Sequence, residues 1–275
     1  MSEKASGCEV VVTRSGARAM RDRATGELMH PVVGPLVEAE RLYVTPSRLA
    51  SRLGEPRADP LVLLDVGLGA GSNAIAAWQL SEALPATARR LELVSFDREL
   101  SALELALHRS HAAAFGLEGG AGAAARRLLA EGRHESVRGV WRLCLGDLPG
   151  SFAQVREGAA DIVFWDPFSP RANPALWTLA AFAAVHRLCR RGATLHTYSA
   201  ATATRSALLL AGFAVGVGAA AGTDRQTTQA ALAAEDLAQP LERSFLERLA
   251  RSSAPFPADA PADALDRLAA FPQFV

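Results

Sequence analysis

The stretch LLDVGLGAGSNA, residues 63–74, predicts a strand, a glycine-rich loop and the start of a helix. Its first half is apolar, as a buried strand requires. Gly67, Gly69 and Gly71 follow, and residues without a Cβ atom let the backbone approach a ligand closely. The sequence therefore predicts a ligand crevice at this turn.

Outward from this stretch, short apolar runs alternate with longer segments rich in Ala and Leu, which is typical of βαβ units. The predicted strands cover residues 61–66, 91–96, 141–145, 161–165, 193–198, 213–217 and 226–233. The predicted helices cover residues 72–84, 99–115, 123–131, 175–190, 201–211 and 241–250. Runs such as LVLLDV are apolar on both faces, as strands between two helical layers are. We expect an α/β, Rossmann-like fold with a seven-stranded, mostly parallel, doubly wound sheet.

Three regions are distinguished by their patterns. Residues 1–60 form an N-terminal, β-containing extension that packs on the core, residues 61–234 form the core, and residues 235–275 form a C-terminal helix and tail. Within them, residues 116–127 are rich in Gly and Ala and predict a surface insertion. Residues 253–275 predict a loosely packed tail.

Composition excludes several classes of protein. Lys plus Arg and Asp plus Glu both number 29, so no global positive field indicates a nucleic-acid partner. A local basic stretch, Arg14, Arg18, Arg21 and Arg23, is either a phosphate contact or an exposed face. The three cysteines show no paired ligand spacing, so we expect neither a disulfide nor a metal. Without an apolar signal or membrane-spanning run, the expected location is the cytoplasm.

Acidic residues lie in or directly after four successive predicted strands: Asp65, Asp97, Asp147 and Asp166. The carboxyl ends of parallel strands meet at one sheet edge, so these side chains should converge there. Asp97 suits a ribose diol, whose two hydroxyls donate to one carboxylate. A dinucleotide fingerprint would have glycine where this loop has Ala74. That difference, together with Asp65 ahead of the loop, favours S-adenosylmethionine over a dinucleotide.

The segment WDPFSPRANPALWT, residues 165–178, resembles the MnmC-type tRNA methyltransferases. The family motif is matched by Asp166, Phe168, Pro170, Asn173, Pro174 and Trp177. The similarity runs over residues 10–234. It implies S-adenosylmethionine-dependent methylation of the 5-aminomethyl group of the wobble (2-thio)uridine of tRNA, by a stand-alone version without the flavin oxidase domain. Two departures are Pro167, where the family has Ala or Gly, and a lone Arg225 where relatives have a basic pair.

The resemblance and the strand-end pattern together assign roles to residues. Asp166 is the expected catalytic group, which holds the amine and accepts its proton. The expected cofactor-binding residues are Glu38, Asp65, Gly67, Gly69, Gly71, Asn73, Asp97, Asp147 and Asp166. The expected substrate pocket consists of His30, Phe168, Pro170, Asn173, Trp177 and Tyr198.

Other interpretations stay open from the sequence alone. An aminopropyl- or methyltransferase acting on a small amine would need the same cofactor crevice and an acidic site. A non-catalytic module that binds S-adenosylmethionine or RNA would keep the fold without the chemistry. Phe168 and Trp177 suit ordinary packing of the loop onto the core as well as a substrate pocket. The oligomeric state is not readable from the sequence.

Overall fold

The computed structural model describes residues 7–29, 34–220 and 226–275, and two sheets run through these residues. The small N-terminal sheet is antiparallel and holds β1 (Cys8–Val12), β2 (Arg18–Asp22) and β3 (Leu28–Met29). The central sheet holds β4 (Leu61–Val66), β5 (Leu91–Asp97), β6 (Arg133–Glu135), β7 (Gly139–Leu145), β8 (Ala160–Trp165), β9 (Cys189–Thr197), β10 (Ala214–Gly218) and β11 (Thr227–Ala231).

The central strands lie in the order β10, β11, β9, β8, β4, β5, β7 and β6. The five strands from β9 to β7 are parallel, and the strands at the two edges pair antiparallel. The Rossmann-like α/β fold is confirmed. The expected count of seven strands is wrong by one among the described residues, because the short edge strand β6 has the sequence RHE and shows no apolar pattern.

Helices cover both faces of this sheet. They are α1 (Pro35–Ala39), α2 (Leu49–Leu53), α3 (Ser72–Ala83), α4 (Ser101–Ala106), α5 (Gly119–Glu131), α6 (Leu179–Leu188), α7 (Thr202–Leu210), α8 (Ser244–Arg251) and α9 (Ala264–Ala269). Leu61 and Leu63 of β4 pack into one core with α3, α4 and α5. Val62, Leu64 and Val66 point the other way, into a core with α6 and α7. Burial of each such side chain contributes about 1.5–3 kcal/mol, which explains why this strand is apolar throughout.

Two expectations about the connection after β5 are wrong. The predicted helix over 99–115 breaks after α4, and a separate 3-10 turn forms at Ala112–Phe115. His108 bonds the Ser110 hydroxyl at 2.7 Å, a local side-chain bond of the kind that competes with helix continuation. Residues 116–127 are not a surface insertion, since Leu117 and Ala124 are buried in the same core as α3.

The C-terminal segment is also more ordered than expected. Residues 253–275 include α9, whose Leu268 is buried, and Phe274 stacks on Phe245 of α8. The Gln273 side chain accepts the Val215 N–H at 2.8 Å and donates to the Val215 carbonyl at 2.7 Å. These contacts attach the segment to β10, so the expectation of a loose tail is wrong.

The topology brings the carboxyl ends of β4, β5, β7, β8 and β9 to one edge of the sheet. The N-terminal sheet, α1 and a π-helical turn at Glu40–Val44 lie near that edge and supply further side chains. Among the described residues, no helix combines the length and apolar character needed to cross a membrane.

Candidate active site

A cavity of about 560 Å³ opens at the carboxyl edge of the sheet. Its walls come from the glycine loop after β4, the ends of β5, β7 and β8, and Tyr198 after β9. The turn between β2 and β3 and side chains from α1 and the π-helical turn close the opposite side. A concave site where several strand ends converge is where ligands bind in open α/β sheets.

The cavity is strongly acidic. Among the described residues that line it, seven carry carboxylates and one carries a guanidinium. The acids are Asp22, Glu27, Glu38, Asp97, Glu99, Asp147 and Asp166, and the base is Arg98. A cleft lined by one sign of charge concentrates the field on its ligand. This cavity therefore suits a cationic ligand such as a sulfonium or an ammonium group.

The glycine loop passes very close to the neighbouring strand end. Gly67 has a φ of +91°, and a Cβ atom there would lie 2.8 Å from the Asp166 carbonyl oxygen. The N–H groups of Gly67 and Leu68 both donate to the Phe96 carbonyl, at 3.0 and 3.1 Å. A side chain at position 67 would push the loop away from β8 and into the cavity, so glycine is required there.

Asp97 ends β5 and faces the cavity beside this loop. One of its oxygens accepts the Gly69 N–H at 2.8 Å, and the other accepts the Arg98 N–H at 2.7 Å. Burial raises the pKa of Asp97, while the backbone N–H groups of Gly69, Glu99 and Arg98 act in the opposite direction. These bonds fix the carboxylate and leave lone pairs for two hydroxyl donors, so loop and carboxylate together fit an adenosine moiety.

Asp166 follows β8 and is held by two side chains. Tyr43 donates its hydroxyl to Oδ1 at 2.6 Å, and Asn73 donates its amide to Oδ2 at 2.7 Å. Burial raises the pKa of Tyr43 well above its ordinary value, and the charge of Asp166 raises it further. Tyr43 therefore remains a phenol and a hydrogen-bond donor, and it orients the Asp166 carboxylate in the cavity wall.

Residues 167–173, here called the wall loop, follow Asp166 and form one side of the cavity. Tyr198 donates its hydroxyl to the Pro167 carbonyl at 3.1 Å, and Trp177 donates its indole N–H to the Phe168 carbonyl at 2.7 Å. The Trp177 and Tyr198 rings meet edge to face at 5.7 Å. Pro167 is buried and lacks an N–H, so its carbonyl provides its backbone hydrogen bond here.

Asp65 lies beneath the cavity rather than in its wall. It is 1% exposed and accepts the Ser95 hydroxyl at 2.8 Å, and that hydroxyl accepts the Trp141 indole N–H at 2.9 Å. Burial raises the pKa of Asp65 to about 8, and the bond from Ser95 opposes that shift. Its other oxygen, Oδ1, has no hydrogen-bond partner in the structure. Asp65 thus forms part of a buried polar chain under the loop.

The chain is similar to known proteins in sequence and in fold. Residues 130–233 match the sequence model of a family described as S-adenosyl-L-methionine-dependent methyltransferase. A tRNA 5-methylaminomethyl-2-thiouridine biosynthesis bifunctional protein MnmC from Methylibium petroleiphilum is 32% identical over 221 residues, which cover 78% of this chain and 33% of that protein. The crystal structure of MNMC2 from Aquifex aeolicus superposes with a TM-score of 0.74 at 27% identity and covers 98% of this chain and 86% of that one.

The chain is similar over most of its length to the MnmC-type methyltransferases. Its cofactor is S-adenosyl-L-methionine, and the glycine loop and Asp97 fit that group. The chain spans about a third of the length of the curated MnmC relatives it matches. Spermidine synthase from Thermotoga maritima superposes with a TM-score of 0.53 at 10% identity over 95% of this chain and 83% of that one, a likeness that shows the fold alone.

Most of the predicted site residues meet in the cavity wall. They are Glu38, Gly67, Gly69, Asp97, Asp147, Asp166, Phe168, Asn173 and Tyr198. Five others lie outside that wall: Asp65, Gly71, Asn73, Pro170 and Trp177. Asn73 still contacts the site through Asp166, whereas Trp177 anchors the wall loop from the buried side. Pro170 is exposed, and His30 lies outside the described residues.

Sequence reasoning missed several residues that line this cavity, and two of them hydrogen-bond Asp166 or the wall loop. Tyr43 binds Asp166, and Glu27 binds the wall loop through Ser169. Tyr43 and Tyr198 are the two tyrosines of the sequence, and both line the cavity. The rarity of tyrosine in the composition is therefore the one sequence feature that sets Tyr43 apart. Glu27 has no such signal, because its partner lies 142 residues away.

One group of metal-type ligands borders the cavity. The Cys8 thiol and the carboxylates of Asp22 and Glu99 have ligand atoms within 4.8 Å of one another among the residues searched. Burial raises the pKa of the Cys8 thiol, which favours its neutral form. The expectation that the protein uses no metal stays a prediction.

Proposed function

We propose that the chain N-methylates the 5-aminomethyl group of the wobble uridine of tRNA. The single observation that carries this proposal is the Asp166 carboxylate, fixed by Tyr43 and Asn73 in the wall of an acidic cavity. The names of the MnmC relatives support the choice of tRNA as the acceptor. Such an enzyme would work in the cytoplasm, where tRNA is modified.

Asp166 orients the acceptor amine and takes its proton in this proposal. S-adenosyl-L-methionine would supply an electrophilic methyl group: the amine lone pair would form the new N–C bond at the methyl carbon, and the electron pair of the broken C–S bond would stay on the departing thioether sulfur. The nitrogen must be neutral to attack, so a fixed carboxylate within reach of its N–H is the acceptor that the reaction needs. Methyl transfer is an in-line displacement, and holding the nitrogen in place supplies much of the rate.

Other cavity residues would bind the cofactor. The glycine loop and Asp97 would hold the adenosine, Asp147 would accept from the adenine amino group, and Glu38 would face the methionine end. Glu38 is buried, which suits the enclosed ammonium group of the methionine moiety. Asp147 is exposed at the rim, which suits an adenine ring that is more open to solvent.

Aromatic residues would hold the nucleobase of the acceptor. Phe168 is half-buried and lines the cavity beside Asp166, where its ring is available to stack on a uracil. Burial, Asp166 and Glu27 all raise the pKa of Tyr198, so it remains a phenol where it lines the cavity.

Exposed cations at the cavity mouth would meet the RNA backbone. Arg171 of the wall loop is 78% exposed and adjoins Ala172, which lines the cavity, and Arg98 lines the cavity and is exposed. The basic stretch near the N-terminus is less available, because Arg21 and Arg23 both pair with Glu9. Arg225 lies outside the described residues. The mouth of the cavity is therefore the better candidate for phosphate contact.

A second candidate function is transfer of a methyl or aminopropyl group to a small polyamine. The seven carboxylates of the cavity favour it, since they would also neutralise a polycation. The two candidates differ in the acceptor and not in the cofactor crevice.

One assay separates these candidates. Purified protein with labelled S-adenosyl-L-methionine is incubated with tRNA from cells that accumulate the aminomethyl nucleoside, and in parallel with free polyamines and decarboxylated cofactor. Mass spectrometry of the digested tRNA should show a gain of one methyl group at the wobble uridine. Product formed on polyamines and none on tRNA would instead establish the second candidate.

We expect Arg171→Glu to weaken tRNA use more than chemistry. Charge reversal at the mouth should raise the KM for tRNA about 10-fold and reduce its salt dependence, while the maximal rate changes little. Steady-state kinetics at two or more salt concentrations measure both effects. Arg127→Glu is the matched control, because Arg127 is 62% exposed on α5 and lies outside the wall loop. Equal KM values for the two variants would remove Arg171 from the RNA surface.

A further inference from the structure

The Glu27 carboxylate crosses from the N-terminal sheet to the wall loop. Its Oε2 accepts the Ser169 N–H at 3.0 Å, and its Oε1 accepts the Ser169 hydroxyl. Arg171 of the same loop approaches Oε1 at 3.9 Å. The Glu27 side chain is 17% exposed, so water competes little for these bonds. One carboxylate therefore holds one loop residue through two hydrogen bonds.

The turn that presents Glu27 is itself rigidly bonded. Asp22 Oδ1 accepts from both the Thr25 N–H and the Thr25 hydroxyl at 2.7 Å. The Asp22 N–H donates to the Glu27 carbonyl at 2.9 Å, and the Gly26 N–H donates to the Asp22 carbonyl at 2.9 Å. Side-chain bonds of this kind close a turn on itself. Glu27 is thus delivered to the loop by a preorganised element.

The wall loop has a second set of anchors on its core side. Tyr198 and Trp177 hold the Pro167 and Phe168 carbonyls from that side, as described above. Among the described residues, Glu27 is the N-terminal group that hydrogen-bonds the loop. Loss of Glu27 would leave the core-side bonds intact and free the cavity-facing tip at Ser169.

The same N-terminal turn also touches the cofactor side. Met29, two residues after Glu27, packs against the glycine loop so closely that a Cβ atom on Gly69 would lie 3.0 Å from its sulfur. Gly69 in turn donates its N–H to Asp97. Residues 27–29 therefore contact the cofactor loop at one end and the wall loop at the other.

We propose that Glu27 is a positioning residue that latches the wall loop in place and links its closure to occupation of the cofactor crevice. The latch sets the placement of the acceptor beside Asp166, and in that respect it rests on the proposed function. A cofactor that stabilises the Met29 and Gly69 contact also stabilises the latch, because both contacts belong to one short segment. By linkage, the closed loop strengthens cofactor binding by the same factor.

Glu27→Gln tests the latch with a nearly isosteric side chain. Hydrogen exchange of the peptide covering 167–177 should become about 10-fold faster, since the Ser169 amide loses its charged acceptor. S-adenosylhomocysteine should slow that exchange in the wild type and much less in the variant. With undermodified tRNA, kcat/KM should fall about 10- to 100-fold, because misplacement near the reacting atoms is costly.

Controls distinguish a latch from general damage. Glu9→Gln removes a carboxylate from the same N-terminal sheet, where Glu9 pairs with Arg21 and Arg23 away from the cavity, and it should leave exchange and kinetics unchanged. Ser169→Ala removes the hydroxyl bond but keeps the Ser169 N–H bond, so it should produce a smaller effect in the same direction, and the double variant should be no worse than Glu27→Gln alone. Additive losses, or unchanged exchange in the loop, would overturn the proposal.

The exchange measurement also keeps this proposal separate from the proposed function. If the wild type does not methylate tRNA while the loop exchange responds to Glu27→Gln and to S-adenosylhomocysteine, the acceptor assignment is wrong and the latch stands. If tRNA is methylated but the loop does not respond, the latch is wrong and the function stands.

Discussion

Replacing Asp166 with asparagine is expected to lower the rate of methyl transfer about 10²- to 10⁴-fold, the range of a positioned proton acceptor. Asparagine has the shape of aspartate and keeps an oxygen for the Tyr43 hydroxyl, so folding should survive. It cannot accept a proton, and its amide would face the Asn73 amide, a second donor. Single-turnover assays with labelled S-adenosyl-L-methionine measure the rate of the chemical step directly.

The measured affinity for the cofactor product distinguishes a role of Asp166 as proton acceptor from a role in holding the cofactor. The affinity of Asp166→Asn for S-adenosylhomocysteine, measured by calorimetry, should stay within a few-fold of the wild type. Asp236→Asn is the control, since Asp236 is exposed and lies outside the cavity wall. Loss of S-adenosylhomocysteine binding in step with the rate would show that Asp166 mainly binds the cofactor. An unchanged rate would exclude it as the proton acceptor.

Replacing Asp161 with asparagine is expected to lower the free energy of unfolding more than the other substitutions do. Asp161 begins β8 away from the cavity, is 1% exposed, and lies among the guanidinium groups of Arg52, Arg89 and Arg190. It also accepts the Val62 N–H of β4 at 2.9 Å. Burial lowers the pKa of Arg52, and the Asp161 charge opposes that shift. Removal of the carboxylate leaves the buried Arg89 and the partly buried Arg52 and Arg190 close to one another, which costs about 3–5 kcal/mol.

Urea denaturation at neutral pH measures this loss. The transition of Asp161→Asn should move to lower urea with an unchanged slope. Asp59→Asn is a matched control, because Asp59 binds Arg57, Arg89 and Arg190 from a side chain that is 45% exposed. Solvent already screens that carboxylate, so its removal should change the transition far less. If both variants unfold at the same urea concentration, the buried charge cluster does not stabilise the sheet.

Features that depend on local sequence patterns were predictable from the sequence. The glycine loop of residues 63–74 and the alternation of strands and helices identify the fold, because backbone geometry makes those patterns local. Asp97, Asp147 and Asp166 were expected to converge and do line one cavity, since each follows a strand of the same parallel sheet.

Packing decided how some predicted segments are used. The segment over 116–127 has a single large apolar residue, Leu117, yet that residue and several of its alanines are buried in the core. Trp177 belongs to the motif that suggested the acceptor, but its ring anchors the wall loop from beneath. A sequence motif indicates that a residue is required, but it does not indicate which side of the loop the side chain of that residue faces.

The sequence by itself determined the glycine loop, the strand-end acids and the cofactor that they suit. Only the tertiary structure decided which groups control Asp166 and the wall loop. Tyr43 lies 123 residues before Asp166 and Glu27 lies 142 residues before Ser169, and no local period relates such pairs. They meet because the N-terminal sheet and the π-helical turn fold over the carboxyl edge of the central sheet, and that placement depends on long-range packing.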